Sequence, residues 1–383
     1  MNKISHKLRI LGSGFTQEEY KLYRFDLLDN PDEAMRFLSN RHNHALYRPV
    51  INRGDQQHIL EDKWIAQSYL MSMQLPVPKT YGLYDPVFGT TISGAPMNSP
   101  QQVAKLIEPE LPQRVFLKPR GGRKGRNVIM AELHKNPDGN IGVLANETRY
   151  TLDAFLQSLP QNAFGDYDGC YHGWLIQAYI PQHDVLNHIN PHTINTVRVV
   201  TFIDSQNQVH VQHAILRLGR KDGVADNWAK GGISVSIDTR TGRLGRGVFK
   251  PHYGGAWVSE HPDTGACFEG QTIPEWQTIL DVCKRAAMMF SGTRSTGWDI
   301  ALTPDGPVII EGNAAWDLPM VQVHTTGYLN EQTRAELGKF SINFPDRVKP
   351  LPLALLTLFV YQWRRSRGPR ILHALKSRLP RAI

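Results

Sequence analysis

Cysteine is scarce: Cys170, Cys267 and Cys283 are the only three in 383 residues. So small and widely spaced a set supports neither a disulfide framework nor a thiolate zinc site. No apolar run approaches the roughly twenty residues that span a bilayer. Residues 1–15 carry no apolar core of signal-peptide length, so no secretory signal is expected and the reducing cytoplasm is the expected setting. No glycine-rich loop ends in Gly-Lys-Ser or Gly-Lys-Thr, which excludes a Walker A phosphate loop, and Gly12-Ser13-Gly14 is too short for a dinucleotide fingerprint. Low-complexity tracts and internal repeats are also missing, and a chain that is 41% hydrophobic can bury more than one core. Acidic residues are absent after residue 347: eight Lys or Arg lie beyond it, so residues 1–347 carry 35 − 35 = 0 and the tail holds the whole net charge of +8.

What is present begins with oxygen ligands. Asp299 is followed twelve residues on by Glu311 and two further by Asn313. The apolar runs 298–302 and 307–311 flank Pro304-Asp305-Gly306, a strong turn signal, so they are expected to pair antiparallel. Alternation then puts Glu311 and Asn313 on one face, Val308 and Ile310 on the other, and Asp299 about opposite Glu311. Two carboxylates and an amide suit Mg²⁺, or Mn²⁺, rather than zinc. A polar turn at a strand end is the competing reading. His183, His188 and His192 do not offer a rival metal site, because Pro191 interrupts helical spacing.

Upstream, the apolar run 115–118 ends in Lys118-Pro119 and turns through Gly121, Gly122 and Gly125 among basic residues before returning as an apolar strand. Glycines let main-chain N–H groups approach phosphate closely, and the surrounding charge favours a polyanion. An exposed basic hairpin or a nucleic-acid contact is the alternative.

These features, taken in order along residues 50–320, resemble the ATP-grasp superfamily. Asp62-Lys63 and then Leu75-Pro76-Val77-Pro78 look like its entry; Lys118 and its glycines look like the strand lysine and lid; residues 175–180 resemble the adenine hinge. The run Asn195-Thr196-Val197-Arg198, then Arg217, then residues 226–232 is similar to ribosomal protein S6 glutamate ligase and its relatives. Asp299, Glu311 and Asn313 match the superfamily's metal triad. Within the superfamily the chain looks closest to the sugar-transfer-associated ATP-grasp proteins, which implies a context in surface-polysaccharide or cell-envelope synthesis.

The resemblance implies an α+β protein of ATP-grasp fold, with two α/β subdomains clasping ATP. The expected segments are a helical region over 1–100, a lid subdomain over 101–182, a catalytic subdomain over 183–345 and a basic amphipathic tail over 346–383. It implies ATP and Mg²⁺ as cofactors. Lys63, Lys118, Gly121, Gly122 and Gly125 would hold phosphates; Gln177, Tyr179 and Ile180 the base; Asp184 the ribose; Asp299, Glu311 and Asn313 the metal. Arg198, Arg217 and Lys230 would hold the acceptor carboxylate and the transferring phosphoryl group, a task that suits the bidentate guanidinium. Structural ion pairing is the competing role for both arginines. The implied activity is carboxylate–amine ligation through an acyl phosphate, on a small-molecule carboxylate and an amine or sugar-linked nucleophile. A nucleotide-binding accessory role without ligation, and a kinase reaction, remain the alternatives.

Local signals complete the pattern. Thr16 to Glu19 forms a capping box and Asn30-Pro31 a helix start; residues 55–73, 152–159 and 274–290 read as helices, the last capped by Gly292. The tail's apolar run 351–363 is too short to span a membrane, and basic residues follow it. It is expected either to lie on an anionic membrane, at the inner face of the cell membrane, or to dock on the catalytic domain with its basic end solvated. Nucleic acid is not an expected partner, because the cations are not interleaved with stacking aromatics.

Overall fold

The structure is a computed structural model, and it describes residues 2–122, 127–160, 171–221 and 226–362. The chain divides into two compact units, one joining Met1–Val50 to Asp317–Ile383 and the other comprising Ile51–Trp316.

The first unit is helical. Its helix Gln17–Leu22 starts at the expected capping box: the Thr16 hydroxyl accepts from the Glu19 N–H at 3.1 Å, and Glu19 Oε2 accepts from the Thr16 N–H at 2.8 Å. Asn30-Pro31 starts only a six-residue 3₁₀ turn, Pro31–Arg36, with Asn30 Oδ1 accepting from the Asp32 N–H. Ile10, Phe15, Phe25 and Met35 form a small core, closed by Val348 from the far end of the chain. Arg334 ties that far end down by donating to the carbonyls of Met35, Leu329 and Phe344.

The second unit holds two antiparallel sheets. The first contains β1 (Thr80–Tyr84), β2 (Gln113–Pro119), β3 (Ile129–Lys135), β4 (Ile141–Ala145), β5 (Thr148–Thr151) and β6 (Trp174–Ala178), in the order β1-β6-β2-β3-β4-β5. The strand β1 belongs to this sheet although it precedes the boundary expected near residue 100. Helices Pro100–Ile107 and Leu152–Ser158 bury Val103, Ile107, Phe155 and Leu156 against it.

The second sheet contains β7 (Thr196–Ile203), β8 (Val209–Leu218), β9 (Ile233–Ile237), β10 (Leu244–Val248), β11 (Trp257–Val258), β12 (Ser295–Thr303) and β13 (Gly306–Asn313), in the order β11-β10-β9-β8-β7-β12-β13. Helix Trp276–Met289 lays Ile279, Cys283 and Ala286 on the face formed by Val197, Val199, Leu216, Trp298 and Ile300. Its last residue precedes Phe290, so the helix ends short of the expected Gly292 cap.

The helix expected over 55–73 is two helices, Gly54–Glu61 and Lys63–Ser72. Asp62 separates them. Its backbone leaves the helical region (φ −76, ψ 96), and its Oδ1 accepts from the N–H groups of Trp64 and Ile65, making it the N-cap of the second helix. Lys63 therefore stands at the first helical position rather than mid-helix.

Candidate active site

The β12–β13 hairpin turns at Thr303–Gly306, where Gly306 takes a positive φ of 115°. In register, Asp299 lies opposite Glu311, and Gly297 opposite Asn313. The next pair is Ile300 with Ile309, so Ile310 is an extra residue: a β-bulge directly beside Glu311. The bulge corrects the simple alternation expected for this strand. Ile309, not Val308 or Ile310, joins the core with Ile300 and Trp298, while Asp299, Glu311 and Asn313 gather on the opposite face. The Asn313 amide donates to Glu311 Oε1 at 3.1 Å and lies 3.4 Å from Asp299 Oδ2. Gly312, between the two ligands, faces Trp298; a Cβ there would fall 2.6 Å from its ring and 2.9 Å from Leu60.

Asp299 is buried and gripped by both predicted arginines. Arg198, its cross-strand neighbour on β7, donates from Nε to Oδ1 and from Nη2 to Oδ2, each at 2.7 Å. Arg217 on β8 donates from Nη1 to Oδ2 at 2.7 Å and from Nη2 to Asp226 Oδ1 at 2.8 Å. Asp226 Oδ2 accepts in turn from the Thr196 N–H and hydroxyl. The charges thus alternate along a buried line: Asp226, Arg217, Asp299, Arg198. Burial opposes ionisation of Asp299, but the Arg198 and Arg217 guanidiniums override it and hold the carboxyl at about 2. Burial pushes Asp226 upward against the pull of Arg217. Arg217 Nε is buried and has no hydrogen-bond partner among the described residues.

The lysines approach from the other sheet and the helix. Lys63 Nζ donates to the Gly122 carbonyl at 2.6 Å, and its N–H to the Arg120 carbonyl at 3.0 Å. Asp62 holds Arg120 by a bidentate pair, with contacts of 2.7–3.0 Å, so one carboxylate both caps the helix and fixes the end of β2. Lys63, Gly122, Tyr171, Glu311 and Asn313 line one cleft. Lys118, on β2, is desolvated; burial lowers its pKa to about 8, with Glu311 raising it and Lys63 lowering it further. Gly122 has φ 91°, a conformation suited to glycine. Gly121 is buried, and Gly125 lies outside the described residues.

Other predicted residues are placed elsewhere or are already engaged. Gln177 on β6 is buried and donates its amide to Thr80 Oγ1 at 2.9 Å, and the Tyr179 N–H donates to the Arg114 carbonyl at 3.0 Å. The Tyr179 ring stacks on Phe116, with the Arg114 guanidinium 3.8 Å from its centroid. Ile180 is buried. Asp184 is exposed at the start of helix Asp184–Ile189, and Lys230 is exposed at the end of the turn Trp228–Lys230. Asp62, Arg120, Thr196 and Asp226 complete the site without having been singled out as site residues. Asp62 and Asp226 did stand inside the matching runs, and two buried acids next to conspicuous cations were the available signal.

Residues 41–336 match the family described as sugar-transfer associated ATP-grasp. The chain belongs to that family. Its fold is accordingly ATP-grasp, in the α+β class expected from the sequence. No curated protein sequence matches this ATP-grasp chain. Among solved structures it is similar to N5-carboxyaminoimidazole synthase from Aspergillus clavatus (9% identity, 77% of this chain and 55% of that one, TM-score 0.38). It is also similar to biotin carboxylase from Campylobacter jejuni (13%, 70% and 43%, TM-score 0.42) and to the ATP-grasp ligase PsnB (16%, 76% and 63%, TM-score 0.36). The ATP-grasp chain thus spans between 43% and 63% of the length of these three structures.

The donor set fits a hard cation. Asp299 and Glu311 are opposite each other in the ladder and Asn313 lies two positions along on the same face, its amide nitrogen turned toward both acids; two carboxylates and an amide carbonyl are donors of the kind a hard cation takes, and no group of three His, Cys, Asp or Glu assembles among the described residues.

Proposed function

We propose that this chain is an ATP- and Mg²⁺-dependent ligase that joins a small-molecule carboxylate to an amine or a sugar-linked nucleophile, in cytoplasmic assembly of a cell-envelope polysaccharide. The observation that carries this reading is the meeting of Lys63, Glu311 and Asn313 in one cleft, within electrostatic reach of Lys118. The sugar-transfer description of the family supports the polysaccharide setting.

The residues divide the work by charge. Lys63 and Lys118 hold the nucleotide phosphates, with Gly122 leaving room for close backbone approach. Asp299, Glu311 and Asn313 would hold Mg²⁺, which when bound neutralises phosphate oxygens. The carboxylate oxygen of the substrate attacks the γ-phosphorus, the bond to the β,γ-bridging oxygen breaks, and ADP leaves. The amine then forms the C–N bond as phosphate departs, and its surplus proton passes to phosphate or solvent. Bringing an anion to an anion is the difficult part, and Arg198 and Arg217 stand ready to orient the acceptor carboxylate.

The test is ADP release in the presence of Mg²⁺ against a panel of amino acids, hydroxy acids and amino sugars, with hydroxylamine present to trap an acyl phosphate. Substrate-stimulated ADP release with hydroxamate, lost in Glu311→Gln, is the expected result. ADP release without hydroxamate would replace ligation by phosphoryl transfer to a hydroxyl, and nucleotide binding without turnover would replace it by an accessory role.

A further inference from the structure

The residues 351–362 form a helix whose two sides differ sharply. On one side Ala354 is fully buried, packed so closely on Gly12 that a Cβ added at Gly12 would fall 2.4 Å from the Ala354 Cβ. On the same side Thr357 Oγ1 accepts from Lys349 Nζ at 3.0 Å, and the Tyr361 ring lies 3.8 Å from the Arg41 guanidinium. That side is anchored to its own unit.

The other side is apolar and uncovered. Leu353, Leu355, Leu356, Phe359 and Val360 are all 40% or more exposed, with Leu356 at 57% and Phe359 at 66%. At 100° per residue these five fall in a sector of about 160°, a continuous stripe rather than scattered contacts. A stripe of this size on a soluble surface marks an interaction site.

Charge says what covers it. Residues 363–383 follow the helix directly and carry seven cations, Arg364, Arg365, Arg367, Arg370, Lys376, Arg378 and Arg381, without one acidic residue. A protein partner with a mixed surface does not call for such a bias, whereas an anionic bilayer does: the apolar stripe enters the headgroup boundary and the cations meet lipid phosphate. Among the described residues no helix is long and apolar enough to cross a membrane. We infer that the helix 351–362 docks the protein on an anionic membrane surface, lying in its plane with Leu353, Leu356, Phe359 and Val360 toward the lipid. The surface holds the chain where a lipid-linked saccharide precursor would be presented; the docking itself rests on the helix and the tail, not on the ligase reading.

The experiment is flotation of the full chain with vesicles of phosphatidylcholine alone and of phosphatidylcholine with one-third phosphatidylglycerol. Binding to the anionic vesicles only, weakened by salt, is expected. The double variant Leu356→Glu/Phe359→Glu should lose roughly tenfold or more in vesicle affinity, since two apolar side chains no longer enter the lipid. Both positions are exposed, and unchanged far-UV circular dichroism reports an intact fold. Arg364→Gln/Arg365→Gln/Arg367→Gln, which leaves residues 351–362 unchanged, should likewise lower binding to the anionic vesicles about tenfold or more. Equal binding to both vesicle types, or vesicle binding indifferent to either variant, overturns the inference. So does a failure to float accompanied by a dimer in analytical ultracentrifugation that Leu356→Glu/Phe359→Glu dissociates, which would assign the stripe to a second copy of the chain.

Discussion

Arg198 stands directly across the β7–β12 ladder from Asp299 and holds both of its carboxylate oxygens at 2.7 Å. Asp299 is thereby committed to two roles at once: it is one of three candidate metal ligands, and it is the anion that keeps two buried guanidiniums compatible with the core. The two roles compete for the same oxygens. The protein's own cations occupy Asp299, while Glu311 and Asn313 line the cleft.

The first prediction follows from that commitment. Asp299→Ala removes the anion between Arg198 and Arg217 and is expected to destabilise the fold by about 3–5 kcal/mol, measured by urea unfolding. The double variant Asp299→Leu/Arg198→Met, which removes charges of both signs, should recover a good part of that loss, and additive losses would show that the pair is not coupled. The pH dependence has a definite sign. The folded carboxyl sits at about 2, below its unfolded value near 3.9, so its contribution is fully present above pH ~4 and lost as the pH falls through about 2. In Asp299→Ala that acid segment of the stability profile should disappear.

Lys118 gives a prediction of the opposite sense. Its pKa is lowered to about 8, chiefly by burial, so the cationic form that a phosphate needs is lost as the pH rises through about 8. Affinity for ADP, measured by calorimetry in chelator, is expected to fall between pH 7 and pH 9. Binding above pH 8 should draw in a proton, because the phosphate restores the ammonium; buffers of different ionisation enthalpy report it. Lys118→Arg should abolish the pH dependence and the proton uptake together, since the guanidinium stays charged. An unchanged profile in that variant would remove Lys118 from the phosphate site.

Local features are legible in the sequence and long-range ones are not, for physical reasons. Pro304-Asp305-Gly306 sets a turn by its own chemistry, and Thr16 with Glu19 closes a capping box within four residues. Both are legible because their partners are neighbours in the chain. The bulge at Ile310 is not: it depends on how β13 must sit to put Ile309 in the core and Glu311 beside Asp299, and an alternating pattern contains no sign of an extra residue. The line of charge through Asp226, Arg217, Asp299 and Arg198 joins three strands and a loop between residues 198 and 299, so its pairings wait on register. The arginines were visible as cations in apolar strands, but which acids they meet was not. The Gln177 and Tyr179 hydrogen bonds to Thr80 and Arg114 were hidden in the same way.

Asp62 allows two local functions to be separated by substitution. Its carboxylate caps helix Lys63–Ser72 through the Trp64 and Ile65 N–H groups and also binds Arg120, whose carbonyl receives the Lys63 N–H. Asparagine is as good an N-cap as aspartate but cannot hold a guanidinium by charge; alanine does neither. Asp62→Asn is therefore expected to keep the helix start while loosening the β2 end that carries Arg120. Asp62→Ala should cost about 1 kcal/mol more, the usual worth of a cap, in urea unfolding. If the Arg120 link is what aims Lys63 at the cleft, both variants should weaken ADP binding to a similar extent despite their unequal stabilities. If the cap alone matters, Asp62→Asn should bind ADP as the parent does, and the role assigned to Arg120 would be withdrawn.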